Sequence, residues 1–287
     1  MKNVFSRTLL ACAITGTLAM ASSTAMAQSF PDFTINEGAI PGAVDRTLTA
    51  DKITGNFVEV IDFTPGTTPG SGTFNASLLW NAGQFVGNNG ASPTPSQLGG
   101  ITPNQYGMYA LYKGTGTFTT AGVVTTFTFT PGGSLEVFAD PGSDTTFITP
   151  GNGSTAFGTG GTTGDDYLLA SGMPQSGEGS LNPTLSTCSG GTVTSGINCG
   201  SFGASSSFNV TTAGGQFFAA PNPFYNLSFQ SGQLNNFSPT GVQVINGSLD
   251  VIFGGGGGGE VPEPGTVALF GLGILGLGLA SRRRKVK

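Results

Sequence analysis

Residues 126–130 read Thr-Phe-Thr-Phe-Thr, and residues 135–140 read Leu-Glu-Val-Phe-Ala-Asp, with Pro-Gly-Gly between them at 131–133. Alternating polar and apolar side chains indicate a β-strand with one buried face, because successive side chains point to opposite sides of a sheet. Pro-Gly-Gly is typical of a turn. This stretch therefore predicts two strands joined by a turn.

Comparable strand patterns lie on both sides of this stretch, at 57–63 and 242–253, the second with an Asn-Gly hairpin signal at 246–247. No part of the body combines a sustained 3.6-residue apolar period with helix caps. The pattern predicts an all-β fold, a single antiparallel β-sandwich or jelly-roll-like domain over residues 28–253. Segments rich in Gly, Pro, Thr, Asn or Ser predict connections at 65–72, 87–103, 151–164 and 173–182.

The N-terminus has the three parts of a secretory signal peptide. Lys2 and Arg7 form a charged region, residues 8–21 are mainly apolar, and Ala25 and Ala27 belong to a small-residue cleavage site that ends before Gln28. We therefore expect residues 1–27 to be removed during export. Cys188 and Cys199 are the two cysteines left in the mature body, and in an oxidising compartment they predict a structural disulfide.

The C-terminus combines three signals in a fixed order. A glycine-rich tether at 254–261 precedes Pro262-Glu263-Pro264, and an apolar segment predicts a transmembrane helix at 266–281. That helix would be roughly 24 Å long, slightly shorter than a hydrocarbon core of about 30 Å. The chain then ends in a basic cluster that should stay on the cytoplasmic side, with Arg282, Arg283, Arg284 and Lys285 as the stop-transfer residues.

This order of motifs at 262–287 resembles the PEP-CTERM sorting signal of Gram-negative bacteria. The resemblance implies recognition by an exosortase, a membrane peptidase, at Pro262, Glu263 and Pro264. It also implies transient contact with the inner membrane and final delivery to the cell surface or extracellular matrix. A permanent membrane anchor is the alternative, because the glycines of the apolar segment could also form a helix-packing face.

Charge restricts the possible partners of the exported part. Outside the two terminal segments the chain has Arg46, Lys52 and Lys113 against fifteen acidic residues when Glu263 is counted, a net charge of −12. Such a body lacks the basic surface that nucleic-acid binding requires. It would also repel anionic polymers unless cations intervene.

A second resemblance concerns the first third of the body. Residues 50–60 (ADKITGNFVEV) and 77–85 (SLLWNAGQF) are similar to the flocculation-associated PEP-CTERM proteins. This resemblance implies that the protein helps cells aggregate by associating with exopolysaccharide or a cell-surface glycan. It implies no catalytic residues.

The sequence does not favour an enzyme. The chain contains no histidine, which argues against a serine or cysteine hydrolase with a histidine base. A glycosidase needs only two carboxylates, so a glycan-active enzyme remains an alternative. Its carboxylate candidates lie in loops without a defining spacing: Asp140, Asp144, Asp165, Asp166 and Glu178.

Two further groups of residues have a functional and a structural interpretation. Asp140, Asp144, Asp165 and Asp166 could supply oxygen ligands to calcium in a calcium-dependent carbohydrate-binding module. They match neither an EF-hand loop nor an RTX repeat, and solvated turn aspartates are the favoured interpretation. No other cofactor is expected. The second group could stack on sugar rings but is predicted to lie mainly in the core: Trp80, Tyr106, Tyr109 and Tyr112.

Overall fold

The computed structural model describes residues 30–99, 104–192 and 195–255. The predicted signal peptide at 1–27, including Ala25 and Ala27, lies outside the described residues. So do most of the tether and the whole of 262–287, with its helix at 266–281. Within the described ranges, no helix is long and apolar enough to cross a membrane.

The described residues form eighteen strands, one α-helix and one 3-10 helix. The strands are β1 (Phe33–Asn36), β2 (Thr47–Ala50), β3 (Lys52–Pro65), β4 (Ser71–Gly87), β5 (Ser92–Thr94), β6 (Gly107–Ala121), β7 (Val124–Asp140), β8 (Thr145–Ile148), β9 (Gly158–Gly161), β10 (Tyr167–Gly172), β11 (Pro174–Leu181), β12 (Ser189–Thr192), β13 (Ser195–Ile197), β14 (Gly200–Ser207), β15 (Asn209–Val210), β16 (Phe218–Ala220), β17 (Leu227–Leu234) and β18 (Gly241–Gly254). The 3-10 helix spans Glu37–Ala39, and helix α1 spans Thr212–Phe217.

Eight of these strands close into an antiparallel barrel in the order β11-β14-β17-β18-β3-β4-β6-β7, with β7 pairing back onto β11. The all-β prediction is confirmed. The predicted sandwich or jelly roll is corrected, because one sheet closes on itself instead of two sheets packing face to face. Alternation of buried and exposed side chains is the same in both architectures, so the local pattern does not distinguish them.

The predicted turn at 131–133 is wrong, because β7 continues through it. Gly132 and Gly133 have positive φ angles of 118° and 101°, which bend the strand without ending it. Residues 125–129 pair with β11 and close the barrel, whereas residues 135–139 pair with β10. The bend therefore lets a single strand serve two neighbours.

Two other local predictions are corrected in the same way. The Asn-Gly pair at 246–247 lies inside β18, where Gly247 pairs with Phe57, so it is not a hairpin turn. The predicted connection at 173–182 contains β11, the strand that closes the barrel. The segments 65–72, 87–103 and 151–164 do contain connections, as predicted, although short strands form within the last two.

Phenylalanine rings opposite glycines explain why a Gly-rich sequence forms a packed barrel. In four cross-strand pairs the ring lies over the glycine, in the space that a Cβ atom would need. The pairs are Phe57 with Gly247, Phe74 with Gly116, Phe118 with Gly72, and Phe202 with Gly232. A ring that covers a glycine restores buried apolar area that the glycine itself cannot supply.

Aromatic clusters fill both ends of the barrel. At the end with the β3–β4 and β6–β7 hairpins, Phe63 lies 5.2 Å from Phe118 and 6.0 Å from Phe237, measured between ring centroids. At the opposite end, Phe33 of the small β16-β1-β2 sheet packs 5.1 Å from Phe253. That sheet and helix α1 therefore cover this end, and their apolar side chains belong to the same core cluster as the barrel interior.

Cys188 and Cys199 form a disulfide, as predicted. The bond joins the two ends of the β12–β13 hairpin. The Cys199 N–H also donates to the carbonyl of Leu234, which attaches the stapled segment to the end of β17. The disulfide is thus structural and lies away from the candidate site described next.

Candidate functional site

A segment at 141–166, here called the flap, covers part of the outer surface of the barrel. It contains the β8–β9 hairpin, and its Phe147 and Phe157 pack on Val60, Leu79 and Tyr109, which point outward from β3, β4 and β6. The ring of Tyr109 lies 4.9 Å from that of Phe147 and 5.0 Å from that of Phe138 on β7. This outer apolar cluster fixes the flap on the barrel.

Asp140 holds the start of the flap in place. Its carboxylate is buried and accepts hydrogen bonds from the backbone N–H groups of Asp144, at 3.3 Å, and Thr145, at 3.1 Å. The Asp140 carbonyl accepts a further bond from the N–H of Ser143, a residue with a positive φ of 50°. The side chain of Asp140 thus stabilises the turn that leaves β7.

Asp166 holds the end of the flap. It accepts a hydrogen bond of 2.7 Å from the Tyr109 hydroxyl and bonds of 3.0 and 3.1 Å from the Thr145 hydroxyl. Burial raises the pKa of Asp166, the charges of Asp140 and Asp165 add to that effect, and the two hydroxyl donors oppose it. Burial and the bond to Asp166 raise the pKa of Tyr109, so its hydroxyl keeps its proton.

An open cleft of about 230 Å³ lies between the flap and the barrel. It offers an amide, a carboxylate, hydroxyls and aromatic rings in one concave surface. The lining residues are Asn81, Ala82, Gly99, Gly107, Met108, Tyr109, Asp140, Ser143, Thr145 and Phe147. Such groups suit a ligand that has many hydroxyls and one apolar face, because the polar groups can orient it and the rings can pack against it.

The structure brings together only part of the predicted calcium set. Asp140 and Asp166 lie at the two ends of the flap, whereas Asp144 and Asp165 are exposed. Among the described residues, no three Asp, Glu, His or Cys side chains form a group that could hold a metal ion. Calcium binding at these residues stays a prediction. Glu178 is on β11, outside the flap.

The four predicted aromatic residues are mostly core. Trp80 is buried, and its indole N–H donates to the Leu249 carbonyl at 3.2 Å. Tyr106 is buried and donates to Glu37 at 3.1 Å. Tyr112 points into the barrel, and only Tyr109 lines the cleft. Sequence reasoning missed Asn81 and Phe147 as cleft residues, because only the flap brings β8 next to β4.

The threonines that predict β7 also form an exposed surface. Thr117 on β6 pairs with Thr73 on β4 and with Thr128 on β7, and all three side chains point to solvent. In the next row, the hydroxyls of Thr115 and Thr130 lie 2.9 Å apart. These rows, here called the threonine face, continue the outer surface of the β6–β7 pair away from the cleft.

Comparison with known proteins identifies the C-terminus. Residues 260–285 match the model of the PEP-CTERM protein-sorting motif, which confirms the predicted resemblance of this segment. No curated protein and no solved structure matches the chain. The similarity of residues 50–60 and 77–85 to flocculation-associated proteins therefore stays a prediction, as do the roles of individual residues in sorting. The chain carries the sorting motif of PEP-CTERM proteins, which indicates an exported protein that is targeted to an exosortase.

Proposed function

We propose that this is a surface or matrix protein that promotes cell aggregation by binding exopolysaccharide on the outer face of the β6–β7 pair. The observation that carries the proposal is the lining of the cleft, where Asn81, Asp140 and Thr145 surround a space bordered by Tyr109 and Phe147. The sorting motif supports the location, because exosortase targeting brings the barrel to the same compartment as the polymer.

The outer face of β6 is long enough to contact several residues of an extended polymer. Tyr109 at the cleft and Thr119, an exposed threonine near the end of β6, are ten residues apart, a distance of about 34 Å along a strand. From Thr115 onward, exposed threonines can exchange hydrogen bonds with sugar hydroxyls, and Leu111 and Lys113 lie between them and Tyr109. A sugar residue in the cleft and neighbouring residues on the threonine face would thus bind one chain through several weak contacts.

The net charge of −12 restricts which polymer can bind. A neutral polysaccharide meets no long-range repulsion, whereas an acidic one would need divalent cations to bridge it to the protein. Binding measured with and without a chelator distinguishes these two classes. Loss of binding in the chelator would favour cation bridging, and unchanged binding would favour a neutral polymer.

The binding test compares Asn81→Ala with Asn209→Ala. Both asparagines are exposed strand residues, and only Asn81 lines the cleft. We expect Asn81→Ala to weaken co-sedimentation of the protein with the producer's own exopolysaccharide several-fold, because one polar contact is worth about 1 kcal/mol. Asn209→Ala should bind like the unaltered protein. Equal binding by all three proteins would contradict a role for the cleft.

The same incubation tests for enzymatic activity. A binding protein leaves the polymer intact, so we expect no new reducing or unsaturated ends. Their appearance would favour the glycan-active enzyme.

The sorting role is tested separately. Replacement of Pro262, Glu263 and Pro264 by alanines should retain the protein in the membrane fraction. The unaltered protein outside the cell should lack residues 282–287 by mass spectrometry. Recovery of those residues on extracellular protein would overturn processing at this motif, whatever the result of the binding test.

A further inference from the structure

A second cavity lies inside the barrel, separate from the cleft. Its volume is about 70 Å³, several times the roughly 10–15 Å³ that one water molecule needs. Its lining reaches from Phe127 and Phe237 at one end of the barrel to Phe218 and Phe253 at the other. The cavity is therefore elongated along the barrel axis and bounded by aromatic rings at both ends.

Nearly all of the lining is apolar, and some of its few polar groups lack partners, although Trp80 and Ser228 are hydrogen-bonded. Glu59 is 5% exposed, points into the cavity, and has no hydrogen-bond partner among the described residues. The Tyr112 hydroxyl and the Gln230 carbonyl oxygen are buried and equally unpartnered within the described ranges. An unpartnered buried polar group costs about 1–3 kcal/mol, so these groups indicate a missing partner in the cavity.

The polar groups are positioned to meet one ligand head. Glu59 on β3 and Tyr112 on β6 both pair with Leu78 on β4, so they lie in one row across the wall. The two side chains interact, because the charge of Glu59 adds to burial in raising the pKa of Tyr112. Gln230 is on β17, which lies across the barrel from β6 in the strand order.

Water alone would satisfy these groups poorly. A buried water typically makes about three hydrogen bonds, and the lining offers polar atoms around Glu59 and Tyr112 but mainly rings and aliphatic side chains elsewhere. A hydroxyl head beside Glu59 and Tyr112, followed by an unbranched apolar chain, matches both parts of the lining. An anionic head would be buried without a counter-ion, and a cationic head could pair only with an ionised Glu59, at the desolvation cost of two buried charges.

We propose that the barrel interior binds a small uncharged amphiphile with a hydroxyl head and a short alkyl chain, with the hydroxyl held by Tyr112 and Glu59. The Tyr112 hydroxyl donates a hydrogen bond to the ligand's hydroxyl oxygen, and a Glu59 carboxyl oxygen accepts a hydrogen bond from the ligand's hydroxyl. The alkyl chain follows the apolar lumen past Trp80, the single tryptophan of the chain.

The position of Trp80 provides the assay. The full secreted protein is titrated with 1-propanol, which is short enough for a cavity of about 70 Å³, and its tryptophan emission is recorded. A second sample is refolded from urea in the presence of 1-propanol, so that slow entry does not hide binding. We expect a saturable change in emission with 1-propanol and none with propanoate or propylammonium.

Two variants locate the ligand. Tyr112→Phe removes only the donor and should weaken 1-propanol binding about tenfold, the loss of one hydrogen bond in an apolar site. Ala110→Leu fills the lumen and should abolish binding, and Ala204→Leu replaces it if Ala110→Leu does not fold. A non-saturable response in both titration and refolding would overturn the proposal, as would equal affinity of Tyr112→Phe and the unaltered protein.

Discussion

Glu59 is expected to make the barrel less stable as the pH rises from acidic to neutral. The side chain is buried in an apolar cavity, and this burial raises its pKa from 4.5 to about 7. Between these two values the folded protein keeps the proton that the unfolded chain has lost. Stability is therefore fully present below pH 4.5, falls as the pH rises, and levels off once the pH exceeds the folded-state pKa.

The magnitude follows from the same shift. Each pH unit in that window lowers the free energy of unfolding by about 1.4 kcal/mol, so Glu59 accounts for about 3 kcal/mol between pH 4.5 and 7. Tyr112, the neighbouring titratable group, stays protonated throughout because burial raises its pKa. If the free energy of unfolding falls by about 3 kcal/mol per molar urea, this loss lowers the urea concentration at the unfolding midpoint by about 1 M.

The assay compares urea unfolding of the unaltered protein, Glu59→Gln and Glu136→Gln at pH 4.5, 6 and 8. Glu136 is an exposed carboxylate on the outer face of β7, so its variant should follow the unaltered protein. Between pH 4.5 and pH 8, the free energy of unfolding of Glu59→Gln should fall by about 3 kcal/mol less than that of the other two proteins. If all three proteins show the same pH dependence, Glu59 is not buried in an apolar cavity and the reasoning fails.

Three further changes test separate parts of the structure. Cys188→Ser with Cys199→Ser should lower the free energy of unfolding by about 3 kcal/mol in urea, because a disulfide of sequence separation 11 restricts the unfolded chain; an unchanged midpoint would argue against a stabilising bond. Gly232→Ala should cost about 1–3 kcal/mol because its Cβ meets the ring of Phe202, whereas Gly164→Ala, in open space, should cost little; similar losses in both would remove the packing explanation. Tyr109→Phe should raise the pKa of Asp166, measured by carboxyl NMR titration, because one of the two hydroxyls that lower it is lost; a lower pKa would contradict the hydrogen-bonded arrangement.

The sequence predicted the elements of the fold better than their connections. Alternation at 126–130 and 135–140 correctly indicated strands, and the two body cysteines correctly indicated a disulfide. The Pro-Gly-Gly at 131–133 and the Asn-Gly at 246–247 predict turns, and both predictions are wrong because a glycine inside a strand has the same local signature. What distinguishes the two is a partner far along the chain, such as Lys113 against Gly133 or Phe57 against Gly247.

Barrel closure illustrates the same limit. It depends on the pairing of 125–129 with 177–181, two segments separated by the flap and β10. Residues 173–182 predict a polar connection because Pro174, Gly177 and Gly179 are poor strand formers. They form a strand because β7 and β14 supply ladder partners on both sides, so tertiary pairing overrides local propensity.

Strand β3 explains why neither candidate site could be read directly from the sequence. In residues 57–61 (FVEVI), a carboxylate between two valines suggests a solvent-exposed position on a strand with one apolar face. The structure shows the opposite arrangement. The flap buries Val60 on the outer side of the strand, and Phe57, Glu59 and Ile61 point into the barrel. Both faces of the strand are therefore buried, and an acidic side chain faces the core. The flap thus forms the outer cleft and buries the outer side of β3, whereas pairing with β4 and β18 places Glu59 inside the barrel. Both sites depend on contacts between segments far apart in the chain, which the local sequence does not show.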